Sequence, residues 1–446
     1  MSIVDTIMVG KIGPDPIAAA ALGSGFFNVV YVLGLGVSLG ATPFVAIAVG
    51  ARNTKSARAI FEQSFILNMT CAVVMAVLVF FGADLIWYLN QPPAVAKLAV
   101  GYTKWLALSA LPFMFFQTYR QFLEGFSIMR PAMIALLTAN LVNVLVNYAF
   151  IYGNLGAPAL GLNGAAIATF ASRLYAAFFL AFLAFRLDGM ARHRPSWRAL
   201  SLDFPLVKKI FALGAPGGVQ MFFEVFAFVA AGFMVGWIGA KELAAHSIAL
   251  NVASVSFLAA TGVAAAGSVR VGNAVGERNP TKTRRSGFAA LGVAGGFMGF
   301  AAICFLAFNR ELVAVFVDDP ETLRIAAALL LVAAAFQVFD GLQAAGMGVL
   351  RGLTDVKVPS FVAVVAYWAI TLPVGYYAAF EAGWGVYGVW FGFVVGLVSV
   401  ALTLIVRFNF LSKRADEIGA RHAEEEEPPP ELLDDPGASA APRVEP

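Results

Sequence analysis

Eleven stretches of 20 or more mostly apolar residues follow one another along this chain, at 17–50, 61–89, 99–119, 133–152, 165–185, 209–236, 243–274, 286–308, 322–347, 358–379 and 384–407. A bilayer core about 30 Å thick needs roughly 20 apolar residues of helix to cross it, so each run is long enough to span. Charges and Gly/Pro clusters separate them, leaving short loops. With 60% hydrophobic and 13% charged residues the chain lies far outside soluble composition. Cys71 and Cys304 sit inside apolar runs, where a small hydrophobe is the usual role. The three histidines have no ligand-like spacing, so neither a disulfide framework nor a protein-held metal is expected. Nothing in the pattern points to nucleic acid.

Residues 1–12 form a stub before the first run, too short to cross alone at 1.5 Å per residue. Counted as the end of a first helix, it makes the loop charges alternate. Every second loop is basic, among them Arg52, Lys55 and Arg58, then Arg186 to Lys209, then Arg270 to Arg285. These loops carry 18 Lys and Arg against 6 in the others. The positive-inside rule places the basic loops and both termini in the cytoplasm, with twelve spans in an inner membrane.

The chain also repeats itself. Met8-Val9-Gly10-Lys11-Ile12-Gly13 returns as Met234-Val235-Gly236-Trp237-Ile238-Gly239, and Val49-Gly50-Ala51-Arg52-Asn53 as Val275-Gly276-Glu277-Arg278-Asn279, both 226 residues on. Leu123-Glu124-Gly125 faces Leu350-Arg351-Gly352 at 227. Gly161, Gly164, Ala168 and Ser172 face Gly385, Gly388, Gly392 and Gly396 at 224, a small-residue spacing that lets helices approach closely in lipid. Four matches in order at nearly constant offset mark a duplication. Six spans per repeat is an even number, so both halves face the same way, related by an axis along the membrane normal. The expected fold is an all-α integral membrane protein of twelve helices in two pseudo-symmetric six-helix bundles. Its parts are an N-terminal lobe at 1–185, a cytoplasmic connector at 186–208, a C-terminal lobe at 209–408 and a disordered acidic tail at 409–446. The repeat puts the partner of Lys208 about 18 residues before Met1, which gives the expectation that the first helix is truncated.

Asp5, Glu224 and Asp340 lie within apolar runs, although an ionisable group at membrane depth costs about 2.5–3.5 kcal/mol on insertion scales. Asn140, Asn143 and Asn147 share one helix face. Burial favours a neutral carboxylic acid and a nearby cation favours the carboxylate, so one acid can hold a proton, a sodium ion or a cationic molecule in competition. The other reading is structural, with the acids hydrogen-bonded between helices. Arg173 equally suits bundle packing, snorkelling or contact with cargo. Most of the forty Phe are lipid-facing or core, and a few lining a cleft would suit flat cations.

Val4-Asp5-Thr6-Ile7-Met8-Val9-Gly10, Phe222-Phe223-Glu224, Gln337-Val338-Phe339-Asp340 and Leu350-Arg351-Gly352-Leu353-Thr354-Asp355 together resemble the multidrug and toxic compound extrusion family, in its NorM-like branch. The similarity covers residues 1–410. It implies a V-shaped cavity between two lobes and export of small organic cations in exchange for Na⁺ or H⁺. It further implies an N-lobe site of Asp5, Asn143 and Asn147, and a C-lobe cation site of Glu224 and Asp340, where Na⁺ is a candidate occupant. Phe336 departs from the pattern, since some NorM-like proteins have Tyr there. The expectation is therefore a monomeric, lipid-embedded multidrug exporter that is not an enzyme, with no cofactor besides its coupling ion. The alternative is a flippase or exporter of a lipid-linked or other metabolite, which would call for several cavity Arg or Lys to hold phosphate.

Overall fold

The computed structural model describes residue 5, residues 8–187 and residues 202–424. Among them there is no strand. Eleven helices are long and apolar enough to cross a membrane: α1 (Pro14–Gly50), α2 (Thr54–Tyr88), α3 (Pro93–Gly125), α4 (Arg130–Tyr152), α5 (Leu162–Arg186), α6 (Phe204–Ile238), α7 (Ala240–Gly276), α8 (Pro280–Ala307), α9 (Pro320–Gly352), α10 (Lys357–Glu381) and α11 (Val386–Leu411). Residues 8–10 are also helical, and Val9 is buried in the first bundle. That is the place the twelve-helix reading gives to the end of its first helix. The chain is thus an all-helical, multi-pass membrane protein.

Helices extend past the apolar windows at their basic ends, for a local reason. α2 begins at Thr54 because the Asn53 side chain accepts from the Ser56 amide at 3.1 Å, and α8 begins at Pro280 because Asn279 accepts from the Lys282 amide at 2.9 Å. Each cap satisfies one of the four orphan donors of a helix start. The helix then carries Lys55 and Arg58, or Lys282, Arg284 and Arg285, outside the apolar run.

These two caps stand 226 residues apart, and the backbone repeats around them. Arg52 and Arg278 both adopt positive φ (57° and 52°) immediately after α1 and α7. In each case the following Asn amide donates five residues back, Asn53 to the Ala48 carbonyl at 2.9 Å and Asn279 to the Ala274 carbonyl at 3.1 Å. This is the Schellman closure, built with arginine where glycine is usual. Ser127 and Thr354 repeat it at offset 227, with φ 63° and 59°. Gly161 and Gly385, before α5 and α11, match at φ 56° and 55°. The duplication legible in the sequence is therefore a duplication of backbone conformation.

Helices α1 to α5 pack on one another as an N-bundle and α6 to α11 as a C-bundle. Each bundle holds two apolar clusters. Those at the ends away from the basic loops draw only on their own bundle, one around Phe27, Met75 and Tyr102, the other around Leu329, Trp390 and Phe393. Those near the basic loops mix the halves: the cluster around Phe61 and Phe122 includes Ile210 of α6, and that around Leu350 and Phe408 includes Ile47 of α1. The bundles are joined at their basic ends.

Glycines permit this junction. A Cβ at Gly36 would fall on the backbone of Gly218, one at Gly50 on Asn273, and one at Gly276 on the Ile47 carbonyl. The last two contacts are reciprocal, since Ile47 and Asn273 are also 226 apart. Residue i meets j′ and j meets i′, the signature of a contact on a twofold axis.

The chain departs from expectation at its two boundaries. Of the connector at 186–208, residues 188–201 lie outside the described residues, while 204–208 already belong to α6. The tail expected to be disordered from 409 remains helical to Glu424, with α11 running to Leu411 and α12 occupying Ala415–Glu424. Leu411, Ala415 and Ile418 share one helix face, and Ala415 is fully buried in the C-bundle core. Average composition over the tail hides that short apolar stripe. Residues 425–446, with most of the acidic run, lie outside the described residues.

Candidate functional site

In the N-bundle, α4 and α5 flank Asp5, which is 8% exposed. Asn147 Nδ2 donates to Asp5 Oδ1 at 2.6 Å, and Thr169 Oγ1 donates to Oδ2 at 3.2 Å. Asn143, one turn before Asn147 and fully buried, accepts from Asn147 Nδ2 at 3.3 Å. Among the described residues Asn143 Nδ2 and Asn147 Oδ1 are buried beside the acid with no hydrogen-bond partner within 3.5 Å. Asn140 donates to the Leu136 carbonyl at 2.9 Å and lines the same cavity as Asp5.

Asp5 lines a cavity of about 670 Å³ within the N-bundle, together with Phe27, Asn28, Tyr31, Tyr102, Phe113 and Arg173. That volume falls within the range of roughly 300–1,000 Å³ for small-molecule sites, and apolar walls with a few polar groups are their usual lining. The aromatic faces can hold flat or cationic molecules.

In the C-bundle, Glu224 projects from α6 into a network built by α9 and α10. Its Oε1 accepts from the Tyr367 hydroxyl at 2.9 Å and from Gln343 Nε2 at 3.3 Å, and its Oε2 accepts from Gln220 Nε2. Gln343 Nε2 also reaches the Tyr367 hydroxyl at 3.1 Å. Asp340 lies one turn before Gln343 on α9 and is 5% exposed. Among the described residues no basic side chain forms an ion pair with either acid and no hydrogen-bond donor reaches Asp340. The Glu224 carboxylate, the Tyr367 phenol and the Gln343 amide oxygen are linked hard oxygen donors of the kind a small cation or a proton takes, with the Asp340 carboxylate one turn away on α9.

Tyr367 owes its place to a distortion of α10. Residues Ala366–Thr371 wind as a π-helix ahead of Pro373. Proline lacks an amide hydrogen and crowds the carbonyl a turn earlier, and π turns inside helices gather at functional sites. Phe336 packs among aromatic rings, its own 5.6 Å from Trp390 and 6.1 Å from Phe393. The C-bundle phenol comes from α10 and not from the position before Asp340.

The sequence reading missed Thr169, Tyr367, Gln343 and Gln220. A hydroxyl or amide in an apolar run carries little signal beside a charge, and nothing in the apolar pattern of α10 marks Tyr367. Asp5, Asn143 and Asn147 lie together in the structure; Glu224 and Asp340 lie on facing helices around one polar network.

Two pseudo-symmetric helical bundles, joined at one end and each carrying acids at membrane depth, define a multi-pass membrane protein of the transporter kind. The chain belongs to the MatE family, whose sequence model matches residues 1–149 and 216–377. It is 36% identical over 415 residues to the multidrug resistance protein NorM of Burkholderia vietnamiensis, covering 92% of this chain and 89% of that one. It is 33% identical over 419 residues to the probable multidrug resistance protein NorM of Rhizobium meliloti (strain 1021), covering 93% and 90%. Its fold is that of a MATE crystallised in the straight conformation (TM-score 0.85, 21% identity, 93% and 92% covered) and of the eukaryotic MATE transporter AtDTX14 (TM-score 0.82, 20% identity, 95% and 93% covered).

Proposed function

We propose that the chain exports amphipathic organic cations across the inner membrane in exchange for Na⁺ or H⁺, by alternating access. The observation that carries this is Asp5: a buried carboxylate with two hydrogen-bond donors and, among the described residues, no basic side chain in ion-pair contact, set in the wall of an aromatic-lined cavity. The multidrug-resistance names of the relatives point the same way. On this reading the cytoplasm lies on the side of the basic loops, with both termini there, and the monomer works alone among lipids. The lobes at 1–185 and 209–408 are the bodies that move.

On this reading the contact between the bundles at their basic ends closes the cytoplasmic side, and the opposite state opens there. In the opposite state a cation binds in the cavity near ionised Asp5. After the lobes rock, a proton or Na⁺ arriving on Asp5 neutralises the charge that held the cargo, while one arriving on the pair Glu224 and Asp340 favours the state from which cargo leaves. The cargo leaves outward and the coupling ion returns inward. The ion gradient supplies the free energy, and differential affinity of the two states for the two cations couples it to cargo movement.

Efflux of a fluorescent cation from proteoliposomes, with Na⁺ and H⁺ gradients imposed separately, tests this directly. Export under one or both gradients is expected. Equal rates with and without either gradient would remove ion exchange from the scheme.

A further inference from the structure

Arg173 is the charged group the exchange cycle does not use. It lies on α5 four residues after Thr169, so the two share a helix face with roughly 6 Å of rise between them. Thr169 binds Asp5, and both Asp5 and Arg173 line the same cavity. Among the described residues no carboxylate comes within 4.0 Å of the guanidinium. The other arginine of the cavity, Arg120, is held by Glu124 at 2.7 Å.

The guanidinium is fixed in other ways. Nη1 donates to Ser109 Oγ at 2.7 Å, and the group lies 5.1, 5.8 and 5.5 Å from the ring centres of Phe27, Tyr31 and Phe113. Ser109 takes one of its five N–H groups. The rings hold the planar fork in place without neutralising it; among the described residues no other acceptor takes its remaining donors, and the group lines the cavity. A positive fork of this kind matches a carboxylate geometrically, two N–H groups to two oxygens.

We propose that Arg173 is a carboxylate subsite, and that the preferred cargo of the N-bundle cavity is a zwitterionic amphiphile with its ammonium at Asp5 and its carboxylate at Arg173. This rests on the export reading above and deepens it. A simple cation leaves Arg173 uncompensated at membrane depth, and a phosphate dianion sets charge against Asp5. A zwitterion satisfies both ends.

The test uses a rhodamine with its free carboxylate and the methyl ester of the same dye, which differ only in the anion. Binding to the purified full chain in detergent is read by fluorescence polarisation. The wild type is expected to bind the acid at least as tightly as the ester. Arg173→Gln should lower the acid-to-ester affinity ratio about tenfold, Arg173→Lys should restore part of it, and Ser109→Ala, which removes the pin and keeps the charge, should leave the ratio in place. A wild type that favours the ester tenfold overturns the subsite, whether or not the variants fold. Equal weakening of both dyes in Arg173→Gln also overturns it, since that is the mark of a residue that only pins helices. Binding of neither dye, with no efflux under either gradient, sinks the export reading itself.

Discussion

The two bundles share a backbone and differ in chemistry. Caps, left-handed turns and close glycine approaches recur at offsets of 224 to 227, yet neither Asp5 nor Asp340 does. Where the N-bundle has Asp5, Thr169 and Arg173, the C-bundle has Ala231, Phe393 and Leu397 at the matching offsets. Where the C-bundle has Asp340 and Gln343, the N-bundle has Phe113 and Phe116. Conformation is set by many small packing contacts that must be kept together, whereas a membrane-depth acid needs only a few donors around it. Duplicated scaffolds can therefore specialise their sites independently. Here one site opens on a large cavity with one acid, and the other gathers two acids around a phenol.

The sharpest way to break this comparison is to remove the acids one bundle at a time. Asp5→Asn should abolish drug resistance while leaving membrane insertion intact, with efflux in proteoliposomes falling about a hundredfold or more, the scale of losing one partner of a desolvated charge pair. Cation binding should fall with it. The double variant Glu224→Gln with Asp340→Asn should instead retain cation binding and lose its response to the ion gradient. If the double variant loses cargo and Asp5→Asn does not, the division of labour is the reverse of that proposed.

The closure contact offers a more moderate test. Gly50→Ala and Gly276→Ala each drive a methyl group into the backbone of the opposite bundle, at reciprocal points. Overpacking of this kind costs about 1–3 kcal/mol. Both should shift spin-label distances across the basic ends towards the open state, and by similar amounts because the contacts are related by the pseudo-twofold axis. A shift from one variant alone would show that the two bundles do not meet symmetrically.

These tests lean on features of unequal legibility. Span number, repeat and buried acids were all readable, because long apolar runs, a fixed offset and a charge in oil are each strong local signals. The partners of the acids were not. Thr169 and Tyr367 look like ordinary residues of apolar helices until folding brings Thr169 to Asp5, 164 residues away, and Tyr367 to Glu224, 143 away. Phe336 misled in the opposite sense: the missing hydroxyl is conspicuous in the sequence, while the phenol that occupies the C-bundle site comes from a π turn that no apolar pattern encodes. The short helix Ala415–Glu424 was hidden for a related reason, its stripe of three apolar residues being outweighed by the acidic tail.

Tyr367→Phe sharpens the comparison further. It removes one hydrogen bond to Glu224 and leaves the N-bundle untouched, so the ion concentration for half-maximal efflux should change about fivefold, the equivalent of about 1 kcal/mol. Cargo affinity in the absence of a gradient should stay the same. A change in cargo affinity with no change in ion dependence would place the phenol in the cargo path and remove it from the coupling site.

The smallest expected effect tests the repeat itself. Asn53 and Asn279 cap α2 and α8 through the same bond, to the amide three residues on, at 3.1 and 2.9 Å. Each follows a left-handed arginine that ends the preceding span. Replacing either by alanine removes one acceptor from a helix start and should cost about 1 kcal/mol, while aspartate should retain the cap. Thermal unfolding in detergent reads the loss, and neither alanine variant should alter the ratio of cargo to ion dependence, because neither cap touches an acid. If Asn279→Ala changes ion coupling, the caps are not equivalent supports of a common scaffold, and the separation drawn between repeated backbone and unrepeated chemistry fails at its most conserved-looking point of local geometry.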